Sequence, residues 1–300
     1  MTQTLKPDTV DPSLLSPPQG RIELAFGETR NSLNRQFTYL LISQRARGLC
    51  LGVNMNPDRQ CNFKCVYCEV ARDSTPQAAA LDVGVMAAEL RQMLQWVQEE
   101  KVAQLPAYRT LPEELLQFRL VVLSGNGEPT LCPNFDEAVR AVVQVRAQTP
   151  GSFFKIVLVT NATGLHLPVV QQGLRALAPQ DEVWAKLDAG TPEHLRRINR
   201  TDVPLDQILS NIRQLGRQRP VILQSLFPLL DGQEPPAEEI RQYVERLAGL
   251  KRDGTMISLV QIYSAHRPTP LSGCRHLSLR SLSAIAQQVK AGTGLPVEVF

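Results

Sequence analysis

Six short runs recur along the chain, separated by stretches of helical pattern: CLGVNMN (50–56), RLVVLSG (119–125), KIVLVTN (155–161), VWAKLDA (183–189), VILQSLF (221–227) and ISLVQIY (257–263). Each is largely apolar and rich in β-branched residues, the pattern of a strand buried on both faces of a parallel sheet. Amphipathic helices fill the intervals. One carries Val83, Met86, Leu90, Leu94 and Val97 on a single stripe, with Asp82 placed to cap it. Another has Phe135, Val139 and Val142, and a third, opened by Pro235 and Pro236, has Ile240, Tyr243, Val244 and Leu247. The last carries Leu282, Ile285 and Val289, with Gly292 as its expected terminator. Six β-then-α units in succession require a parallel sheet with right-handed crossovers. Six fall short of the eight that close a barrel. The expected fold is therefore α/β, a partial (β/α)6 barrel of parallel strands over residues 41–300, to which PVEVF (296–300) adds a short strand. Residues 1–40 read as an N-terminal leader, loose or packed on the barrel, because MTQTLKPDTVDPSLLSPPQG is rich in proline, serine and threonine.

In such a fold, chemistry sits on the loops that follow the C-terminal ends of the strands. The unusual residues fall there. CNFKCVYC (61–68) follows the first strand and SGNGEPT (124–130) the second. Thr160 and Asn161 end the third, and Lys186 and Asp188 end the fourth. Gln224 and Ser225 lie late in the fifth, and Tyr263, His266 and Arg267 follow the sixth.

Cys61, Cys65 and Cys68 lie within eight residues, so one loop can converge all three sulfurs. A structural zinc site wants four closed ligands. There is no second Cys-x-x-Cys, and His166, His194, His266 and His276 are scattered. Iron–sulfur clusters generally take four cysteines, and a cubane held by three leaves one iron open for another ligand. On spacing alone, zinc or three plain reduced thiols remain the alternatives.

CNFKCVYC resembles the Cys-x-x-x-Cys-x-aromatic-Cys signature of radical S-adenosylmethionine (radical SAM) enzymes. The resemblance runs from about residue 45 to about 270 through RARGLCLGVN, SGNGEPT, VTNAT, KLDAG with RINR, and VQIYSAHRP. These segments look like the subgroup placed with wyosine-type tRNA-modifying proteins. The resemblance implies that Cys61, Cys65 and Cys68 ligate three irons of a 4Fe–4S cluster, whose fourth iron chelates S-adenosylmethionine. It implies reductive cleavage of that cofactor to methionine and a 5′-deoxyadenosyl radical that abstracts hydrogen from substrate. Cofactor contacts are implied for Tyr67, Gly125, Asn126, Gly127, Glu128, Asn161, Lys186, Asp188 and Tyr263, with Glu128 accepting from the cofactor's ammonium. His266, Arg267 and Cys274 are weaker candidates for catalysis or substrate contact. A flavodoxin or ferredoxin is the implied electron donor, and RNA is one candidate substrate. Activation of a glycyl-radical enzyme, or modification of a peptide or metabolite, is the alternative within the family.

Composition limits the partners only loosely. The net charge of +3 sets 32 basic against 29 acidic residues, which neither demands nor excludes a nucleic acid. A zinc-dependent nucleic-acid-binding module is disfavoured by the missing fourth ligand and by the strand pattern. No run approaches the roughly 18 apolar residues of a membrane helix, and no apolar signal core opens the chain. The expected compartment is the cytoplasm, where thiols stay reduced. Cys50 and Cys132 are expected to pack.

Overall fold

The computed structural model describes residues 33, 35–70, 80–149, 153–266, 269 and 271–300. In chain order the strands are β1 (Thr38–Ser43), β2 (Gly48–Asn54), β3 (Phe118–Ser124), β4 (Lys155–Thr160), β5 (Glu182–Lys186), β6 (Val221–Leu226), β7 (Pro228–Leu230), β8 (Ile257–Tyr263), β9 (Cys274–His276) and β10 (Val297–Val299). The helices are α1 (Val83–Gln98), α2 (Glu113–Leu116), α3 (Phe135–Gln148), α4 (Pro168–Leu174), α5 (Pro192–Asn199), α6 (Leu205–Gly216), α7 (Ala237–Arg252) and α8 (Leu279–Thr293).

Strands β2, β3, β4, β5, β6, β8 and β10 pair side by side in that order, every pair parallel. A sheet wound in sequence order, without a reversal, curls toward a barrel instead of opening into a doubly wound layer. The six expected strands are all present, and the C-terminal run forms β10. The small β7–β9 pair is antiparallel and stands apart from the main sheet.

β1 is an addition to the expected pattern. It pairs antiparallel with β2, from Thr38 opposite Val53 to Ser43 opposite Gly48. A strand joined to the next by a tight turn has no helix between, so it breaks the rhythm on which the strand reading rests. Its entry is fixed by α1. The buried Glu89 carboxylate accepts the backbone N–H groups of Gln36, Phe37 and Thr38 at 2.8, 2.9 and 3.0 Å.

The strands bury both faces, as their composition requires. Leu51, Val53, Val121, Leu123, Ile156, Leu158, Val183 and Leu223 point outward into the layer shared with the helices. The alternate residues Cys50, Leu120, Val122, Val157, Trp184 and Ile222 point inward and fill the base of the barrel. Asp82 caps α1 as expected, accepting from Val85 N–H at 2.9 Å. The expected end of α8 is corrected. The terminating glycine is Gly294, at φ +63°, whereas Gly292 lies inside the last turn. Gly292 has a packing role: an added Cβ would stand 2.5 Å from Val244 Cγ1, so its small size lets α7 and α8 approach. No helix among the described residues is long and apolar enough to cross a membrane.

Candidate active site

A cavity of about 500 Å³ opens at the C-terminal ends of the strands. Its wall gathers Cys61, Cys65 and Cys68, Tyr67, the run Gly125–Glu128, Asn161, Lys186, Tyr263 and His266. Residues separated by some two hundred positions in sequence thus meet on one rim.

The cysteine loop is held from three sides. Gln60 C=O accepts Glu128 N–H at 2.9 Å, and Gly127 lies so close that a Cβ there would stand 1.9 Å from the Gln60 oxygen. Only glycine permits that contact. The Asn62 side chain donates to Thr163 Oγ1 at 2.9 Å and accepts from Asn161 Nδ2 at 2.8 Å. At the end of α5, Asn199 C=O accepts Lys64 N–H and Ile198 C=O accepts Val66 N–H. Among the donors that face the sulfurs, Phe63 N–H reaches Cys61 Sγ and Asn199 Nδ2 reaches Cys65 Sγ, both at 3.4 Å.

Glu128 is 3% exposed. Its Oε1 accepts from Thr130 N–H, Thr130 Oγ1 and Thr160 Oγ1 at 3.0, 2.6 and 2.5 Å, and its Oε2 accepts from Asn161 N–H at 2.7 Å. Burial raises its carboxyl above the usual range, with these donors pulling the other way. A carboxylate offers about four lone-pair sites, so the free capacity is on Oε2. Asn54 Oδ1 accepts Asn126 N–H at 2.9 Å, which fixes the loop just ahead of Glu128.

Lys186 donates to the Tyr263 hydroxyl at 2.9 Å and lies 3.4 Å from Asp188 Oδ1. Its ammonium also sits over the Tyr67 and Tyr263 rings, 4.9 and 5.3 Å from their centroids. Burial works against the charge, but Asp188 and Tyr263 outweigh it and the lysine is held above its ordinary value. Asp188, 2% exposed, accepts from Leu226 N–H and Asn199 Nδ2 at 2.9 and 2.8 Å, and from the Tyr67 hydroxyl. Burial, then the Asp188 charge, push the Tyr67 phenol well above its usual range. Asp188 is thus the anchor of this corner.

The remaining candidates divide. The His266 ring lies 4.4 Å from that of His276, and its Nε2 is 3.3 Å from Phe300 C=O. Cys274 is off the cavity wall, buried with Val66, Ile198 and Leu230 beneath the cysteine loop. Arg267 lies outside the described residues. Gln224 and Ser225 are buried and internally bonded, Gln224 to Gln261 and Ser225 to Leu187 C=O and Tyr243. Cys132 packs with its thiol on Asn134. Sequence reasoning missed Asn62, whose partners lie about a hundred positions away, Asn199, which reaches Cys65 across 134 positions, and Arg45 and Tyr39, which line the cavity from the first hairpin. For Arg45 the only signal is its place in RARGLCLGVN.

Among the described residues no group of three His, Cys, Asp or Glu side chains stands in position to hold a single metal ion, so the fit to an iron–sulfur cluster rests on the donors placed around the cysteine loop. Burial, then Asp188, push the Cys65 thiol up to about 12 in the bare chain. A thiol needs no donors, yet Asn199 and a backbone N–H are aimed at two of the sulfurs. Donors so placed would serve thiolates, which Lys186 already favours at Cys65 and a bound metal would favour further.

A profile of the radical SAM superfamily matches residues 55–247. The chain is 29% identical over 217 residues to the UPF0026 protein slr1464 of Synechocystis, covering 70% of this chain and 68% of that one. It is 24% identical over 172 residues to a UPF0026 protein of Helicobacter pylori, covering 57% of this chain and only 47% of the relative. Among solved structures it resembles TYW1 with a lysine–pyruvate adduct bound, with a TM-score of 0.56, 14% identity, and coverage of 86% and 84%. It also resembles Streptococcus suis SuiB bound to S-adenosylmethionine, with a TM-score of 0.54, 14% identity, and coverage of 81% and 49%. Identities this low speak for the fold alone. The profile, however, spans the cysteine loop, the Gly-Glu-Pro loop and the Lys186–Asp188 corner that the barrel brings to one cavity, and on that match the chain belongs to the radical SAM superfamily.

Proposed function

We propose that this protein is an enzyme that uses a 4Fe–4S cluster and S-adenosylmethionine to abstract hydrogen from its substrate. One observation carries the reading: a three-cysteine loop with donors aimed at its sulfurs shares a cavity with a glycine-flanked carboxylate and a charged lysine. Cys61, Cys65 and Cys68 would hold three irons. When bound, the cluster and cofactor supply one-electron reductive cleavage of the sulfonium, with methionine and a hydrogen-abstracting 5′-deoxyadenosyl group as products.

The chain's own residues orient and shield. Glu128 offers Oε2 to the cofactor's ammonium, while its Oε1 stays fixed on Thr130 and Thr160. Lys186 presents its ammonium to the carboxylate, braced by Asp188 and Tyr263. Tyr67 and Tyr263 provide aromatic walls. Gly125, Asn126 and Gly127 form the cavity wall beside the cofactor, with the two glycines packed on Asn54 and Gln60 respectively, and Asn161 ties the cysteine loop to the end of β4. A low-potential flavodoxin or ferredoxin is the proposed reductant. RNA is the substrate class supported by the motif resemblance to wyosine-type tRNA-modifying proteins, which is support by analogy. Cys274 is assigned no chemical role.

Iron and sulfide analysis of anaerobically purified protein tests this reading. Near four irons and four sulfides per chain are expected from the cubane, with a broad visible band bleached by dithionite. Alanine at Cys61, Cys65 or Cys68 removes them, whereas alanine at Cys274 does not. Stoichiometric zinc without sulfide would refute the proposal.

A further inference from the structure

The barrel is open between its two edges, and the β1–β2 turn reaches across the opening. Arg47 Nη2 lies 3.4 Å from Glu298 Oε1 of β10, on the far edge. Arg45 stacks its guanidinium 4.3 Å from the centroid of Tyr263 in β8. The strands of a barrel are tilted and staggered, which brings the base of one edge beside the top of the other. Arg45 thereby lines the cavity together with Ser43, Gln44, His266 and Phe300.

The two cations on Tyr263 differ in their company. Lys186 has Asp188. Arg45, half-buried, has no carboxylate partner among the described residues, and its Nε is buried without a hydrogen-bond partner. A partly desolvated guanidinium on an aromatic face, with one positive neighbour already on the same ring, leaves uncompensated positive potential at the cavity wall. Its planar fork suits two oxygens of one oxyanion. We propose that Arg45 is a specificity-determining residue that receives a carboxylate or phosphate carried by the substrate. The assignment rests on the proposed function in taking this cavity as the place where substrate meets cofactor. It adds that the substrate bears an anionic group close to the reacting position, on the seam side of the mouth. The cofactor's own carboxylate is assigned to Lys186, whose charge is already braced in place.

The test uses the full, cluster-loaded chain with saturating S-adenosylmethionine, and inorganic phosphate and acetate as separate probes. Binding is read by 31P and 13C line broadening. Wild-type protein is expected to bind at least one probe saturably, and the stronger of the two names the oxyanion. Arg45→Ala should weaken that binding about tenfold or more, the loss expected for one charge-assisted contact. Arg45→Lys should fall between the two, because it keeps the charge and loses the fork. Arg47→Ala, which removes an exposed seam charge, should stay within about twofold. If Arg45→Ala does not fold by its melting curve, Arg45→Gln keeps the stem and removes only the charge. Saturable binding indifferent to loss of the Arg45 charge overturns the proposal, as does no binding of either probe. Binding seen only without S-adenosylmethionine also overturns it, since the oxyanion site would then be the cofactor's. A chain that lacks a cluster yet binds through Arg45 would defeat the proposed function and leave this site standing.

Discussion

The two sides of the cavity mouth are built in opposite ways. On the side of β2 to β5, nearly every polar group is bonded to another element. Glu128 holds four donors, Asp188 joins β5 to the cysteine loop and to the residue ending β6, and Asn62, Asn161 and Thr163 bond in a closed set. On the seam side, the β1–β2 turn meets β10 through one exposed ion pair and β8 through one ring stack, and the exit of β8 meets Phe300 through one long histidine contact. Satisfied buried networks hold a single geometry, and unsatisfied groups wait for a partner. The difference separates a preorganised half, where the cofactor is proposed to bind, from a half whose polar groups are left for something else.

Removing Glu128 attacks the first half at its most connected point. Glu128→Ala leaves the hydroxyls of Thr130 and Thr160 and the N–H groups of Thr130 and Asn161 without their acceptor. Unpaired buried donors cost about 1–3 kcal/mol each before water or relaxation helps. The expected result is a drop in stability of at least about 3 kcal/mol. With the ammonium contact gone, affinity for S-adenosylmethionine should fall about 10- to 100-fold. Glu128→Gln is not conservative here, because with its oxygen on the threonines its amide NH2 meets Asn161 N–H, donor against donor. Urea unfolding and cofactor titration read the two losses separately. Wild-type stability in the alanine variant would show that this half is less tightly built than its bonds imply.

Gly127→Ala makes a smaller change at the same wall. Its Cβ would meet the Gln60 carbonyl at 1.9 Å, so one backbone segment must move. Overpacking of this kind typically costs about 1–3 kcal/mol. Because Gln60 directly precedes Cys61, the displacement should appear as a lower iron content per chain as well as a lower melting temperature. Unchanged iron with lowered melting would show that the cysteine loop tolerates more slack than its three anchors suggest.

How much of this was legible follows from the range of each interaction. The parallel strands were readable because burial on both faces leaves a local signature, and Cys61, Cys65, Cys68 and Glu128 lie in short motifs. β1 was missed although TYLLIS is as apolar as its neighbours, because it pairs antiparallel across a tight turn. Asn199 meets Cys65 across 134 positions, and nothing in LRRIN forecasts that bond. Arg45 had only its place in RARGLCLGVN to mark it, for a related reason: it reaches Tyr263 across the open seam, and a seam exists only once the sheet has curled. Gly292 was misread as a helix end because close packing against Val244 and helix termination both select glycine.

The satisfied half has exceptions in Asn56 Oδ1, Asn199 Oδ1 and His194 Nε2, all buried without a hydrogen-bond partner among the described residues, and pH exposes the one that titrates. His194, on α5 beneath the cysteine loop, is 7% exposed, and its Nε2 has no hydrogen-bond partner among the described residues. Burial, then the Arg197 charge, lower it from 6.5 to about 4, with Asp188 opposing. Above pH 6.5 the ring is neutral in both folded and unfolded chains and the shift has no effect on stability. As the pH falls below 6.5, the unfolded chain takes up a proton that the folded chain refuses, so folding is progressively disfavoured until about pH 4. The loss over that window should be on the order of 1–3 kcal/mol. A His194→Gln variant, neutral throughout, should unfold like wild type near neutrality to within about 1 kcal/mol and then lose stability less steeply on acidification. Acid damage to the cluster is common to both proteins, so the difference between their urea midpoints isolates the histidine. Parallel curves from pH 7.5 to 5 would mean that the ring finds a proton acceptor in solution and that the satisfied half has no titratable exception.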